Sequence, residues 1–98
     1  LARIELSEIA GENTDLCALE AYMINNPKDF IKKAQLGAVY FSAGNYSAAM
    51  EQWLQMVLIG DKDAKEIGRE NLVRTFGILG NHHEEVPAYR RRLAQALN

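Results

Sequence analysis

Ninety-eight residues, 48% of them apolar and 24% charged, are enough for one domain with a single core, and the composition is ordinary for a globular protein. A formal net charge of −2 excludes the basic excess of a general nucleic-acid binder. The longest apolar run, Met56 to Gly60, falls far short of the roughly 18–20 residues that a membrane span needs.

No secretory signal is visible, and a chain that opens on Leu1 is expected to be a piece of a longer protein. Charge is unevenly placed. Residues 1–26 set Arg3 against Glu5, Glu8, Glu12, Asp15 and Glu20, whereas residues 86–98 carry Arg90, Arg91 and Arg92 with no acid. Two solvated helix faces are the plain reading, and weak head-to-tail self-association is the sharper one. Cys17 is the single cysteine, which excludes an internal disulfide and any Cys-x-x-Cys pair. Between Leu16 and Leu19 it is expected to be a buried, inert thiol, in keeping with a reducing, cytoplasmic setting.

Apolar residues recur at helical spacing nearly throughout, and no stretch alternates as a strand would. Turn signals fall at Ala10–Gly11, Asn25–Asn26–Pro27, Gly44–Asn45, Gly60–Asp61 and Gly80–Asn81–His82. Glycine suits the residue after a helix because it takes a left-handed conformation without a Cβ clash. The pattern predicts a short helix over 2–9, then helices over 13–25, 28–43, 46–59, 63–79 and 85–97. Links this short favour antiparallel neighbours, so the chain reads as successive helical hairpins.

The central hairpin carries two apolar stripes on each helix. In 28–43 they are Leu36, Gly37 and Tyr40, then Ile31, Ala34, Ala38 and Phe41. In 46–59 they are Ala49, Trp53 and Met56, then Leu54, Val57 and Leu58. Two stripes demand cover on two sides, which is the logic of a stacked solenoid. Gly37 and Ala49 are expected to let the two axes approach closely, so that a bulky residue at Gly37 overpacks the contact at about 1–3 kcal/mol. The last helix has one stripe, Val86, Tyr89, Leu93 and Leu97, with Arg91, Arg92, Gln95 and Asn98 largely opposite. That is the pattern of a terminal cap.

The segment Lys33, Leu36, Gly37, Tyr40, Gly44, Tyr46, Ala49 and Trp53 resembles the tetratricopeptide signature in its Leu-Gly, Tyr, Gly, Tyr, Ala and late aromatic places. It departs from that signature at Lys33, Met56 and Asp61, where an aromatic, a small residue and often a proline stand. The resemblance implies an all-α fold of antiparallel hairpins, a right-handed solenoid fragment of about five or six helices over 1–98. Residues 1–26 would form an incomplete first hairpin, 27–60 the best-matched repeat, and 61–98 a degenerate repeat with its capping helix.

The run Arg69, Leu72, Phe76, Leu79, Gly80, Val86, Tyr89, Arg90, Arg91, Leu93, Ala94 and Leu97 is similar to the tail of bacterial thioredoxin-related co-chaperones. There a tetratricopeptide-type domain follows a thioredoxin-like one. With the central repeat, the resemblance covers residues 27–97. It implies a cytoplasmic protein-binding domain that docks to a chaperone, the chaperonin foremost, with the last helix leading. The partner-binding candidates are Arg90, Arg91, Arg92 and Gln95.

Nothing in the residues indicates an enzyme or a cofactor. There is no Gly-rich phosphate loop and no nucleophile–base pairing around Cys17. His82, His83, Glu84 and Glu85 are adjacent residues of one loop, which rarely converge on an ion, so no metal site is expected. Glu84 and Glu85 instead suit the positive end of the next helix. Some tetratricopeptide domains grip a partner's C-terminal carboxylate with Lys and Asn on the inner faces of first helices. Here that face of helix 28–43 shows Ile31, Ala34, Gln35, Ala38, Phe41 and Ser42, which offers no cation, and the preceding hairpin is expected to cover it. Self-association or scaffolding in an unrelated bacterial protein is the alternative function.

Overall fold

The computed structural model describes residues 16–80 and 83–97. Five helices follow one another: α1 (Leu16–Asn25), α2 (Phe30–Ser42), α3 (Tyr46–Ile59), α4 (Lys62–Leu79) and α5 (Val86–Leu97). Each matches a predicted helix to within a few residues. The predicted helix over 2–9, the first residues of the one over 13–25, and the turn at Ala10–Gly11 lie outside the described residues.

Side-chain caps start the central three helices. Asp29, Asn45 and Asp61 each accept the backbone N–H three residues on, from Lys32, Ala48 and Ala64 at 3.2, 3.3 and 2.9 Å. Each bond satisfies a donor that the first turn leaves without an intrahelical partner. The helix ends are less uniform than expected. Gly44 and Gly80 take φ of +84° and +80°, as the left-handed reading requires. Gly60 does not, with φ at −80° and an extended ψ. Space dictates glycine there, because a Cβ would stand 2.5 Å from that of Ala64 and would also meet the Met56 carbonyl.

Helix α3 is the centre of the domain. It packs on α2 at one side and α4 at the other, α5 lies across α3 and α4, and α1 rests on α2. Accordingly α3 is buried almost all round, through Ala49, Met50, Trp53, Leu54, Met56 and Val57. Leu58, expected on the second stripe, is 48% exposed, since α5 reaches α3 only along its earlier turns. From α4 and α5 the core takes Ala64, Leu72, Phe76, Val86, Tyr89 and Leu93. Leu97, the last member of the predicted α5 stripe, is 55% exposed.

Gly37 is tight for a reason other than the one expected. Its missing Cβ would lie 2.5 Å from Trp53 Nε1 and 2.7 Å from Cε2, so the glycine makes room for the indole itself and not for Ala49. Cys17 is exposed, not buried. The buried residue of α1 is Met23, and Cys17, six positions earlier, lies about 120° round the helix from it.

Lys33 stands where the repeat usually places an aromatic, and it is buried. Among the described residues its ammonium donates to Gln52 Oε1, at 3.5 Å. Burial pushes its pKa below the ordinary lysine value, against the attraction of Glu51. A cation in this position works against the fold, so Lys33→Met is expected to raise stability by about 1 kcal/mol in urea denaturation. The sign has a second consequence. Between the lowered folded pKa and the ordinary 10.5, the unfolded chain binds the extra proton, so wild-type stability should rise with pH through that window and the gap to Lys33→Met should narrow.

Candidate functional site

Two surfaces can meet a partner. The first is a groove between α2 and α4. At one end Ala34, Ala38, Phe41 and Trp53 face Asn71, Arg74, Thr75 and Ile78 around a cleft of about 180 Å³. At the other, Ile31, Ala34 and Phe30 face Met56, Ala64 and Ile67 around a wider one of about 480 Å³, lined also by Lys28, Asp29, Asp61 and Asp63. Ala34 lines both, so the groove is continuous. Ile31, Ile67 and Ile78 are 74%, 45% and 62% exposed along it, a longer apolar stripe than scattered surface residues make.

The preceding hairpin was expected to cover this face, and among the described residues it does not. Helix α1 sits on the other side of α2, where Glu20 and Met23 meet Leu36 and Tyr40 and Glu20 accepts the Tyr40 hydroxyl. Burial and that carboxylate push the Tyr40 hydroxyl up to about 12. The missing cation of α2's inner face is found on α4 instead, as Arg74 with Asn71 one turn before it. Helical periodicity on α2 alone could not disclose it.

The second surface is the outer side of α5. Val86, Tyr89 and Leu93 form its buried side. At 100° per residue, Arg91 points away from the Tyr89–Leu93 line, while Arg90 and Arg92 flank that line at about 80° on either side. The flanking pair turns inward. Arg90 lies over the Phe76 ring of α4, 5.0 Å from its centroid. Arg92 leans the other way and bonds Glu51 of α3, with Nη1 2.8 Å from Oε1, its guanidinium also 5.2 Å from the Tyr89 ring centroid. Arg91, Ala94 and Gln95 make up the outward face, all exposed. Arg90, Arg91, Arg92 and Gln95 therefore do not share one face of α5.

Glu51 collects these contacts. It accepts from Arg92, from the Tyr89 hydroxyl at 3.0 Å and from Gln55 Nε2 at 3.0 Å. Burial disfavours its charged form, but the three hydrogen bonds outweigh that and hold its pKa below the ordinary 4.5. Burial and the same carboxylate push the Tyr89 hydroxyl up to about 12. A depressed carboxyl pKa contributes stability that is complete above 4.5 and lost as pH falls through the folded value. Glu51→Gln should therefore be less stable than wild type at pH 7, and chemical denaturation near pH 3 should find the two close together.

At the mouth of α5, His83 is a structural residue. Its Nδ1 accepts the Glu85 N–H at 3.2 Å and its ring meets Tyr46 edge-on at 5.7 Å. His82 lies outside the described residues. No group of His, Cys, Asp and Glu able to hold a metal occurs among the described residues, and none of their helices is long and apolar enough to cross a membrane.

The arrangement of α2 to α5, two antiparallel hairpins with the first helix of each lining one groove, is that of a tandem helical repeat. A family model described as tetratricopeptide repeat matches residues 9–98, nearly the whole chain. The chain belongs to the tetratricopeptide repeat family. Neither a curated protein nor a solved structure matches it. Tetratricopeptide domains generally mediate protein–protein interaction, and both open surfaces described above suit that role.

Proposed function

We propose that this tetratricopeptide domain is the protein-docking part of a cytoplasmic, thioredoxin-related co-chaperone, and that it binds a chaperone machine, the chaperonin foremost, through the outer face of α5. The observation carrying this reading is the division of labour on α5. Arg90 and Arg92 secure the helix to α4 and α3, while Arg91 and Gln95 are left facing outward on the last described helix. The similarity of residues 69–97 to the tail of those co-chaperones supplies the class of partner. Arg90 and Arg92 would border the contact, with Arg91 and Gln95 at its centre.

Deleting α5 would be a poor test, because Tyr89 and Leu93 belong to the core. Surface substitution is cleaner. Binding of the whole chain to purified bacterial chaperonin, followed by interferometry, should weaken about tenfold in Arg91→Glu, and wild-type affinity should fall with added salt. An intact chain that does not bind would sink the chaperonin assignment. An Arg91→Glu chain that binds as well as wild type would move the site off α5.

A second reading is favoured by the exposed isoleucine stripe of the groove. An apolar partner segment would lie between α2 and α4, with an acidic group against Arg74 and Asn71. Binding lost in Ile67→Asp or Arg74→Glu but kept in Arg91→Glu would select it.

A further inference from the structure

Helix α5 meets the rest of the domain along a narrow strip, and its polar contacts with α3 converge on one side chain. Glu51 Oε1 accepts both Arg92 Nη1 at 2.8 Å and the Tyr89 hydroxyl at 3.0 Å, while Oε2 lies 3.4 Å from Arg92 Nη2. The Tyr89 hydroxyl has the Ser47 carbonyl as its other acceptor, at 3.3 Å. Gln55, one turn along α3, donates to Oε2 and fixes the carboxylate in turn.

Tyr89 and Arg92 are three residues apart on α5, so they are neighbours on its surface. One anchor would leave the helix free to roll about that contact. Two anchors on a single carboxylate fix roll and axial position together. Val86, Tyr89 and Leu93 hold α5 in the core, and the charge-assisted hydrogen bonds, which depend steeply on geometry, set its fine roll within that packing. Roll decides what the partner sees. Even a roll of about 20° within that packing changes how squarely Arg91 and Gln95 face outward.

We propose that Glu51, on α3, is a positioning residue for the docking face: through Tyr89 and Arg92 it sets the roll of α5 that presents Arg91 and Gln95. The inference rests on the α5 reading above, and it removes Arg92 from the partner's footprint. Glu51 touches no partner. It acts through another helix.

The test has one arm that needs no partner. Phenylglyoxal labels accessible guanidinium groups, and peptide mass spectrometry of the whole chain gives the ratio of Arg91 to Arg92 modification. Wild type should label Arg91 faster by about fivefold, the factor expected when a half-exposed ion pair protects Arg92. Glu51→Gln should bring the ratio close to one and also slow Arg91 itself, because loss of the pair without a roll would only speed Arg92. The charge exchange Glu51→Arg with Arg92→Glu should leave Arg91 labelled as in wild type. In the second arm, chaperonin affinity should drop about fivefold in Glu51→Gln and recover in the exchange.

An unchanged labelling ratio in Glu51→Gln overturns the proposal. So does a changed ratio with unchanged chaperonin affinity, or an exchange that restores stability in urea but not affinity, which would make Arg92 a direct contact. If wild type fails to bind chaperonin, the co-chaperone reading falls and the Arg91 labelling rate alone decides whether Glu51 sets the helix: an Arg91 rate unchanged in Glu51→Gln overturns it.

Discussion

Alanine in place of Gly68 is expected to destabilise the domain by about 2 kcal/mol, whereas alanine in place of Gly77, two and a half turns along the same helix, should stabilise it by about 1 kcal/mol. In an exposed helix both changes would be favourable, because glycine costs about 1 kcal/mol relative to alanine. What separates them is the space a Cβ would enter. At Gly77 nothing lies within 4 Å. At Gly68 the Cβ would stand 2.5 Å from the Trp53 carbonyl oxygen, 3.0 Å from Met56 Cβ and 3.2 Å from Val57 Cγ2. The first of these is backbone, so no rotamer change relieves it, and α4 must move off α3. Overpacking of that kind costs about 1–3 kcal/mol, here towards the upper end, and the helix-propensity gain returns about 1. Urea denaturation of both variants checks the pair. Equal shifts would show that the α3–α4 contact is looser than the 2.5 Å approach implies.

Gly68 also marks where the sequence stops being informative. Hydropathy spacing assigns Leu36, Ala49, Trp53 and Met56 to the interior, because burial repeats with the helical period and any two-sided helix must show it. Caps are equally local. Asp29, Asn45 and Asp61 each stand immediately before an apolar-periodic run, and each caps its helix. The contact at Gly68 is neither. It depends on how closely two helices approach, a tertiary property that a lone glycine in a polar stretch does not advertise. Cys17 and Leu97 fail for a related reason. Each carries the apolar spacing to a side or end of its helix that stays exposed.

The candidate site was legible to a different degree on each surface. On α5 the single apolar stripe placed Arg91, Arg92 and Gln95 opposite the core, and the fold keeps Arg91 and Gln95 there while Arg92 leans to Glu51. That Arg90 turns to Phe76 and Arg92 to Glu51 could not be read, since Arg92 and Glu51 are brought together only by the packing of the second hairpin on the first. A three-arginine run is one patch in sequence and three environments in the fold. The groove is a similar case. The stripe Ile31, Ala34, Ala38 and Phe41 was visible, but its opposite wall of Ile67, Asn71, Arg74 and Ile78 is supplied by a helix more than thirty residues later.

Trp53→Ala should be the most damaging single change among the described residues, at about 3–5 kcal/mol. Trp53 is 6% exposed and holds three parts of the domain at once. Its ring lies against Gly37 of α2, its centroid stands 6.3 Å from that of Phe41, and it walls the cleft with Thr75 of α4. Alanine would leave a cavity that two rigid helix pairs cannot easily close. One term runs the other way. The indole N–H is buried without an acceptor among the described residues, and such a donor costs about 1–3 kcal/mol. Trp53→Phe sheds that donor while keeping most of the ring, so it should lose far less than its reduced volume alone suggests. The same crowding predicts a coupling. Gly37→Ala should be destabilising in the wild type, where the new Cβ meets the ring at 2.5 Å, and close to neutral or better in Trp53→Ala, where the space is empty. Since Trp53 is the single tryptophan, unfolding must be followed by circular dichroism and not by fluorescence. Strictly additive losses in the double variant would mean that the ring and the glycine do not share the contact, and that α2 is held to α3 elsewhere.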